Sequence, residues 1–269
     1  MLVGPIDVRK HGGSGPTVVL LHGGPGAQGS LASLAGTLAP HYSVLEPLQR
    51  RSGDVSLTVE QHVRDMAEVA PESATYVGWS WGAMLGLSFA SLYPGLVKTL
   101  VLVGCGCYDE ESRESHAIAL RRRMDRQGQA RHEDLQRRMK AATDRAWRDD
   151  LFGQIGALAE KAEAVEPLGF VSGDVQPDAL GFEETWQDAA RLQHECIEPA
   201  RFTGIRCPVL MLHGDEDVHP GTRTRDVLQR HIPQLAYIGI PKCGHVPWYE
   251  RHGRTPFLET LKEWIDDVG

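Results

Sequence analysis

A serine, an aspartate and a histidine, far apart along the chain, each sit in a setting that suits attack on a carbonyl carbon. The serine lies in Gly78-Trp79-Ser80-Trp81-Gly82, at the end of an apolar run and directly before a helical stretch. A serine on so sharp a strand-to-helix turn holds its hydroxyl clear of the sheet, and glycines two positions to either side relieve the crowding. The hydroxyl is a poor nucleophile until a neutral imidazole takes its proton and a carboxylate fixes the tautomer of that imidazole. Asp217, in Leu212-His213-Gly214-Asp215-Glu216-Asp217, is the expected carboxylate, with Asp215 closer to the strand and better suited to the turn. His245 is the expected base. His213, His219, His231 and His252 lie nearby, but His245 directly follows the last strand-like run and has Gly244 before it. The order Ser80, Asp217, His245 is the one that accompanies such an elbow.

An acyl-transfer reaction also needs N–H groups aimed at the carbonyl oxygen as it becomes an anion. His22-Gly23-Gly24-Pro25-Gly26 follows an apolar run, and composition would produce that pentapeptide by chance only about 0.001 times. Gly24 is the expected donor, with the N–H of Trp81 as the second. His22 is read as a loop organiser. A tight turn and a phosphate-cradling loop are the other readings of these glycines; the histidine-first order and the lack of GxxxxGK[ST] speak against the second. His213, Asp215, Asp217 and His219 alternate along one loop but match no zinc or iron spacing, so no metal and no other cofactor is expected.

The elements that must position these residues are legible as short β-branched and Leu-rich runs alternating with helical stretches, the pattern of an α/β protein with a mostly parallel sheet covered by helices. Strands are expected at Thr17–Leu21, Ser43–Pro47, Thr75–Trp79, Thr99–Gly104, Pro208–His213 and Ala236–Ile240, and helices at Leu31–Ala39, Thr58–Ala70 and Trp81–Leu92. The rhythm breaks at Tyr108. From Asp109 to Asp150 there are 11 basic and 10 acidic residues, which reads as solvated helix rather than a basic patch. A loop marked by Pro167, Gly169, Gly173 and Pro177 and a helix over Phe182–Glu195 follow. The expected organisation is a core of residues 1–107 and 204–269 with a helical insertion at 108–203.

Together these segments resemble the α/β-hydrolase fold with an inserted helical cap. His22–Gly26 and Gly78–Gly82 in particular resemble the prolyl iminopeptidase branch, whose members remove an N-terminal proline. Of the Asp-Gln-Arg-Gly-like segment typical of those peptidases, Gln49-Arg50 is kept within Glu46–Gly53. The resemblance implies Ser80, His245 and Asp217 as a triad, Gly24 and Trp81 as oxyanion donors, and cap carboxylates, here Glu183, Glu184 or Glu195, holding a substrate amine. Trp81 and Trp186 are expected substrate walls, with Phe182 and Trp147 as further candidates. The expected reaction is hydrolysis of a small ester or amide, iminopeptidase-like, through an acyl-enzyme. Carboxylesterase, carbon-carbon hydrolase, acyltransferase and small-ligand receptor are the alternatives on the same fold.

Composition limits the partners. With 28 basic against 36 acidic residues the net charge is −8, which disfavours nucleic acid and leaves a small molecule or short peptide as the expected partner. No apolar stretch reaches membrane-span length, and Met1–Lys10 lacks a signal-peptide layout, so a cytoplasmic protein without a membrane partner is expected. The five cysteines, without CxxC spacing, are expected to be free and buried.

Overall fold

The computed structural model describes residues 6–169 and 175–268; Gly173 of the expected loop and the first five residues lie outside this range. The strands are β1 (Val8–His11), β2 (Thr17–Leu21), β3 (Ala27–Gln28), β4 (Ser43–Pro47), β5 (Ala74–Trp79), β6 (Val97–Val103), β7 (Gln176–Pro177), β8 (Val209–Gly214) and β9 (Leu235–Ile240). The helices are α1 (Ala32–Leu38), α2 (Val59–Val69), α3 (Trp81–Leu92), α4 (Glu110–Arg123), α5 (Arg126–Ala141), α6 (Arg145–Glu163), α7 (Ala179–His194), α8 (Gly221–Gln229) and α9 (Arg254–Val268). Seven strands form one sheet in the order β1-β4-β2-β5-β6-β8-β9. Its pairs are parallel except β1 with β4.

Both faces of the sheet are buried, which is why its strands read as continuous apolar runs. Successive side chains point to opposite faces. Val19 and Leu21 therefore join Val63, Met66, Leu85 and Phe89 under α2 and α3, whereas Val18 and Leu20 join Leu34, Leu38, Phe257, Leu261 and Ile265 under α1 and α9. Burying one such side chain fully contributes about 1.5–3 kcal/mol. Helix α3 is apolar on every side and lies against the sheet, with Leu100 and Leu21 packed close to Gly86.

Four helices, α4 to α7, lie between β6 and β8, where the alternating rhythm stops. Each starts on an aspartate. Asp109, Asp125, Asp144 and Asp178 accept the N–H of Ser112, Gly128, Trp147 and Gly181 at 2.8, 2.7, 2.8 and 3.1 Å. Such a cap contributes about 1 kcal/mol over alanine, so these four aspartates set the helix starts. Leu135, Ala142 and Leu151 form a small core between α5 and α6.

Three short strands depart from expectation. β1 is an edge strand reading Val-Arg-Lys-His, without alternation, and a charged edge of this kind avoids pairing with a second chain. β7, inside the expected loop, pairs with β3 just after the Gly-Gly-Pro-Gly turn. Asp178 N–H also donates to Gly26 O at 3.0 Å, so the start of α7 is fastened to the loop that carries Gly24. All five cysteines are free; Cys196 is exposed and Cys207 half-buried, against the expectation of burial. Among the described residues no helix is long and apolar enough to cross a membrane.

Candidate active site

Ser80 occupies the turn from β5 into α3 with φ 55° and ψ −117°, a left-handed backbone that a side-chain-bearing residue adopts only under constraint. The constraint comes from its neighbours. A Cβ on Gly78 would lie 2.5 Å from Gly82 C and 2.6 Å from Ala83 N, and one on Gly82 would lie 2.7 Å from His22 O. All of these are backbone atoms, which cannot step aside. Gly82→Ala is therefore expected to cost about 3 kcal/mol and lower the melting temperature by roughly 5–10 °C, measured by calorimetry. An unchanged melting temperature would show the elbow to be looser than this.

Ser80, His245, Gly24 and Trp81 line one cavity of about 790 Å³. His245 Nδ1 is 2.7 Å from Asp217 Oδ2. Trp79 Nε1–H donates to His245 O at 3.0 Å, and His245 N–H donates to Glu163 O at 3.2 Å, so the loop is pinned from both the sheet and α6. Buried Glu250 strengthens that clamp, its carboxylate accepting the Val165 and Glu166 N–H groups at 3.0 and 2.8 Å. Asp215 stays at the turn, beside Gly239. Asp217, not Asp215, is thus the carboxylate on His245, and it makes further contacts: Oδ1 accepts the backbone N–H of His219 at 2.9 Å and lies 3.0 Å from His219 Nδ1. His213 Nε2 lies 3.3 Å from Oδ2. His219 stacks on His245 with centroids 4.4 Å apart, so a histidine set aside on sequence grounds lies against the candidate base.

Burial alone would raise the Asp217 carboxyl, but His245, His213 and His219 hold it well below the usual carboxylate range. Burial likewise works against a charge on His245, yet the carboxylates of Asp217 and Glu163 and the hydrogen bond to Asp217 outweigh it and lift the imidazole to about 9. A general base acts only when neutral. Turnover in the presence of chelator is therefore expected to climb with pH above neutrality and level off near pH 9, and Glu163→Gln should move that limb towards acid. A profile already flat by pH 6.5 would contradict this.

The loop of Gly24 is held by a pair of buried side chains. His22 Nδ1–H donates to Gly23 O at 2.8 Å, while its Nε2 accepts the Gln49 N–H at 3.2 Å. Burial lowers His22 to about 4, so it stays neutral and organises the loop, as its position suggested. Gln49 Nε2–H donates to His22 O at 3.0 Å and Gln49 Oε1 accepts the Trp81 indole N–H at 2.8 Å. One amide therefore braces both candidate oxyanion segments, a role the surviving Gln-Arg pair did not reveal. Arg50 instead makes a two-pronged ion pair with Asp65, at 2.7 and 2.8 Å. Gln49→Leu keeps the bulk and removes both bonds; kcat is expected to fall about tenfold to a hundredfold with a smaller change in KM, measured by steady-state kinetics.

The wall residues divide. Trp81, Trp186 and Phe182 line the cavity, and Trp81 and Trp186 meet edge to face at 5.9 Å. Trp147 does not line it and is 43% exposed, because its place on the first turn of α6 faces solvent. The three glutamates considered for a substrate amine are engaged elsewhere. Glu183 pairs with Arg148 at 2.6 Å, Glu184 accepts the Leu57 N–H at 2.9 Å, and Glu195 pairs with Arg191 at 2.6 Å. Among the described residues between β6 and β8, the carboxylates on the cavity are Glu160 and Glu163, three residues apart on one face of α6.

A serine elbow on a mostly parallel sheet, with a histidine and an aspartate on the loops after later strands, defines a class. The chain belongs to the alpha/beta hydrolase family, which it matches over residues 18–255, and it is a hydrolase of that superfamily. Its relatives include the pimeloyl-[acyl-carrier protein] methyl ester esterase of Nitrosomonas europaea, 24% identical over 246 residues that cover 88% of this chain and 91% of that protein. The enzyme of the same name from Xanthomonas campestris pv. campestris is 29% identical over 250 residues, covering 90% of this chain and 92% of that protein. The crystal structure of E-2-(acetamidomethylene)succinate hydrolase superposes with a TM-score of 0.63 at 19% identity, over 97% of this chain and 95% of that one. A thermophilic esterase from Thermogutta terrifontis superposes with 0.59 at 21% identity, over 98% and 93%; at such identity the likeness concerns the fold. The sequence relatives are esterases, and the narrower resemblance to iminopeptidases gains nothing from them.

Proposed function

We propose that the protein is a serine carboxylesterase that hydrolyses a small ester with an apolar acyl or alkyl part through an acyl-enzyme. His245, oriented by Asp217, takes the proton of Ser80 as its oxygen attacks the ester carbonyl. The negative charge rests on the N–H groups of Gly24 and Trp81; Trp81 opens α3, where the first N–H groups have no acceptor within the helix. The alcohol leaves with the proton from His245, and water then repeats the sequence to release the acid. The observation that carries this reading is the 2.7 Å pair of His245 and Asp217 on the cavity onto which the strained Ser80 opens.

Two observations favour an ester over a prolyl peptide. Glu183, Glu184 and Glu195, the glutamates that the iminopeptidase resemblance pointed to, are committed to Arg148, Leu57 and Arg191, and the sequence relatives are named for a methyl ester of a carrier-bound acyl chain. α6 and α7 act as a cap over the cavity, offering Phe152, Phe182 and Trp186 as walls for such a chain. The partner is then a small molecule, and neither nucleic acid nor a membrane is required. A panel on purified protein tests this: medium-chain methyl and aryl esters should turn over and prolyl arylamide should not, with a fluorophosphonate labelling Ser80. Preference for the free-amine prolyl substrate would reverse the assignment, and absence of labelling would remove it.

A further inference from the structure

His116, Glu163 and His219 form a second polar cluster on the wall of the same cavity, and the esterase reading gives none of them a chemical step. One ligand atom from each lies within 4.8 Å of the other two. They come from separate elements: α4, the last turn of α6, and the loop after β8. His116 Nε2 stands 4.0 Å from Glu163 Oε1, beyond hydrogen-bond reach, and this nitrogen is buried without a hydrogen-bond partner. Leaving such an atom unsatisfied is unfavourable, and here the neighbours that surround it are an imidazole and a carboxylate. His219 Nδ1 is held by Asp217 Oδ1 at 3.0 Å. With a proton on Nδ1, Nε2 carries the free lone pair; a carboxylate behind an imidazole is the arrangement that fixes the tautomer of a metal-bound histidine.

We propose that His116, Glu163 and His219 bind one divalent transition-metal ion of the zinc type, with a further coordination position open to the cavity. Two imidazoles and one carboxylate form a nitrogen-rich set that suits zinc, whereas calcium and magnesium require more oxygen ligands than this cluster offers. Donors around a tetrahedral zinc lie about 3.4 Å apart, so the cluster contracts by about an ångström on binding. The moving part is His116. Its ring is stacked on His219 at 4.0 Å and 22°, and must swing out of that stack to aim its nitrogen at the ion; with its side chain 26% exposed on α4 it has the room. The bound ion then occupies the cavity beside His219, which stacks on His245. Zinc should therefore inhibit hydrolysis, and chelation should restore it.

The site is tested by binding, so its outcome is separate from that of the esterase assignment. Metal-stripped wild-type protein is titrated with Zn²⁺ against a chromophoric chelator, alongside His116→Gln and Glu163→Gln whose folding is checked by circular dichroism. One equivalent per chain is expected for wild type, with affinity lowered at least about tenfold in each variant. Co²⁺ titration should give the visible absorption of a four- or five-coordinate ion that either substitution removes. Failure of the wild type to bind one equivalent would overturn the proposal. So would unchanged affinity in the folded variants, which would move the ion to Asp217, His219 and His245, the neighbouring cluster of compatible spacing. If one variant does not fold, the other decides.

Discussion

Ser80→Ala should reduce ester turnover by about 10⁴-fold or more while the protein stays folded, read as kcat against a medium-chain aryl ester. The substitution keeps the Cβ, and so the strained backbone at φ 55°, and deletes only the oxygen. On the proposed reading, what survives is the contribution of binding and of the N–H groups of Gly24 and Trp81, which would act on any nucleophile including water. The fluorophosphonate label should disappear in the same variant. Retention of more than about a tenth of the wild-type rate would leave the elbow without its assigned role.

Asp217→Asn should be nearly as damaging, lowering kcat by about 10⁴-fold, for a reason particular to this site. Asp217 Oδ1 accepts the backbone N–H of His219 at 2.9 Å, a donor that cannot turn away. Asparagine must therefore keep its carbonyl oxygen on that side and present its NH₂ where Oδ2 now faces His245 Nδ1 at 2.7 Å. His245 would have to accept there and carry its proton on Nε2, the tautomer that cannot take a proton from Ser80. The substitution also removes the first of the carboxylates that lift His245 to about 9. The pH profile should then lose its alkaline limb as the rate collapses. A variant with a near-normal rate and an unshifted profile would show that Asp217 does not serve the base.

The strands of the sheet were legible because burial on both faces leaves a continuous apolar run between polar turns. Thr17–Leu21 and Ser43–Pro47 match the observed bounds, and the others shift by two residues at most. Helix α3 was equally clear, since Ser80 starts it and the approach to Pro94 stops it. β1 was not, because its four residues, partly polar, pair at an edge through backbone groups that leave no periodic trace. The bounds of α4 to α6 were obscured by mixed charge, although four aspartates marked the starts once the caps could be seen. The loop of Pro167 to Pro177 concealed β7, whose two residues owe their strand geometry to β3, more than a hundred positions away.

The candidate residues Ser80, Asp217, His245, Gly24 and Trp81 follow from sequence alone, because a strained turn and a close backbone approach demand particular residue types at fixed local spacing. Local rules of that kind act over a few residues and are written in order along the chain. Tertiary structure alone decided that Gln49 braces both Gly24 and Trp81 segments, that Glu163 and Glu160 rather than Glu183, Glu184 or Glu195 face the cavity, and that His116 and His219 stack in line with His245. Those neighbours come from different elements: Gln49 from the loop after β4, His116 from α4, Glu160 and Glu163 from α6, and His219 from the loop after β8. Charge and hydrogen bonding act through a few ångströms of space, and no spacing along a chain records which side chains a fold will place within that reach.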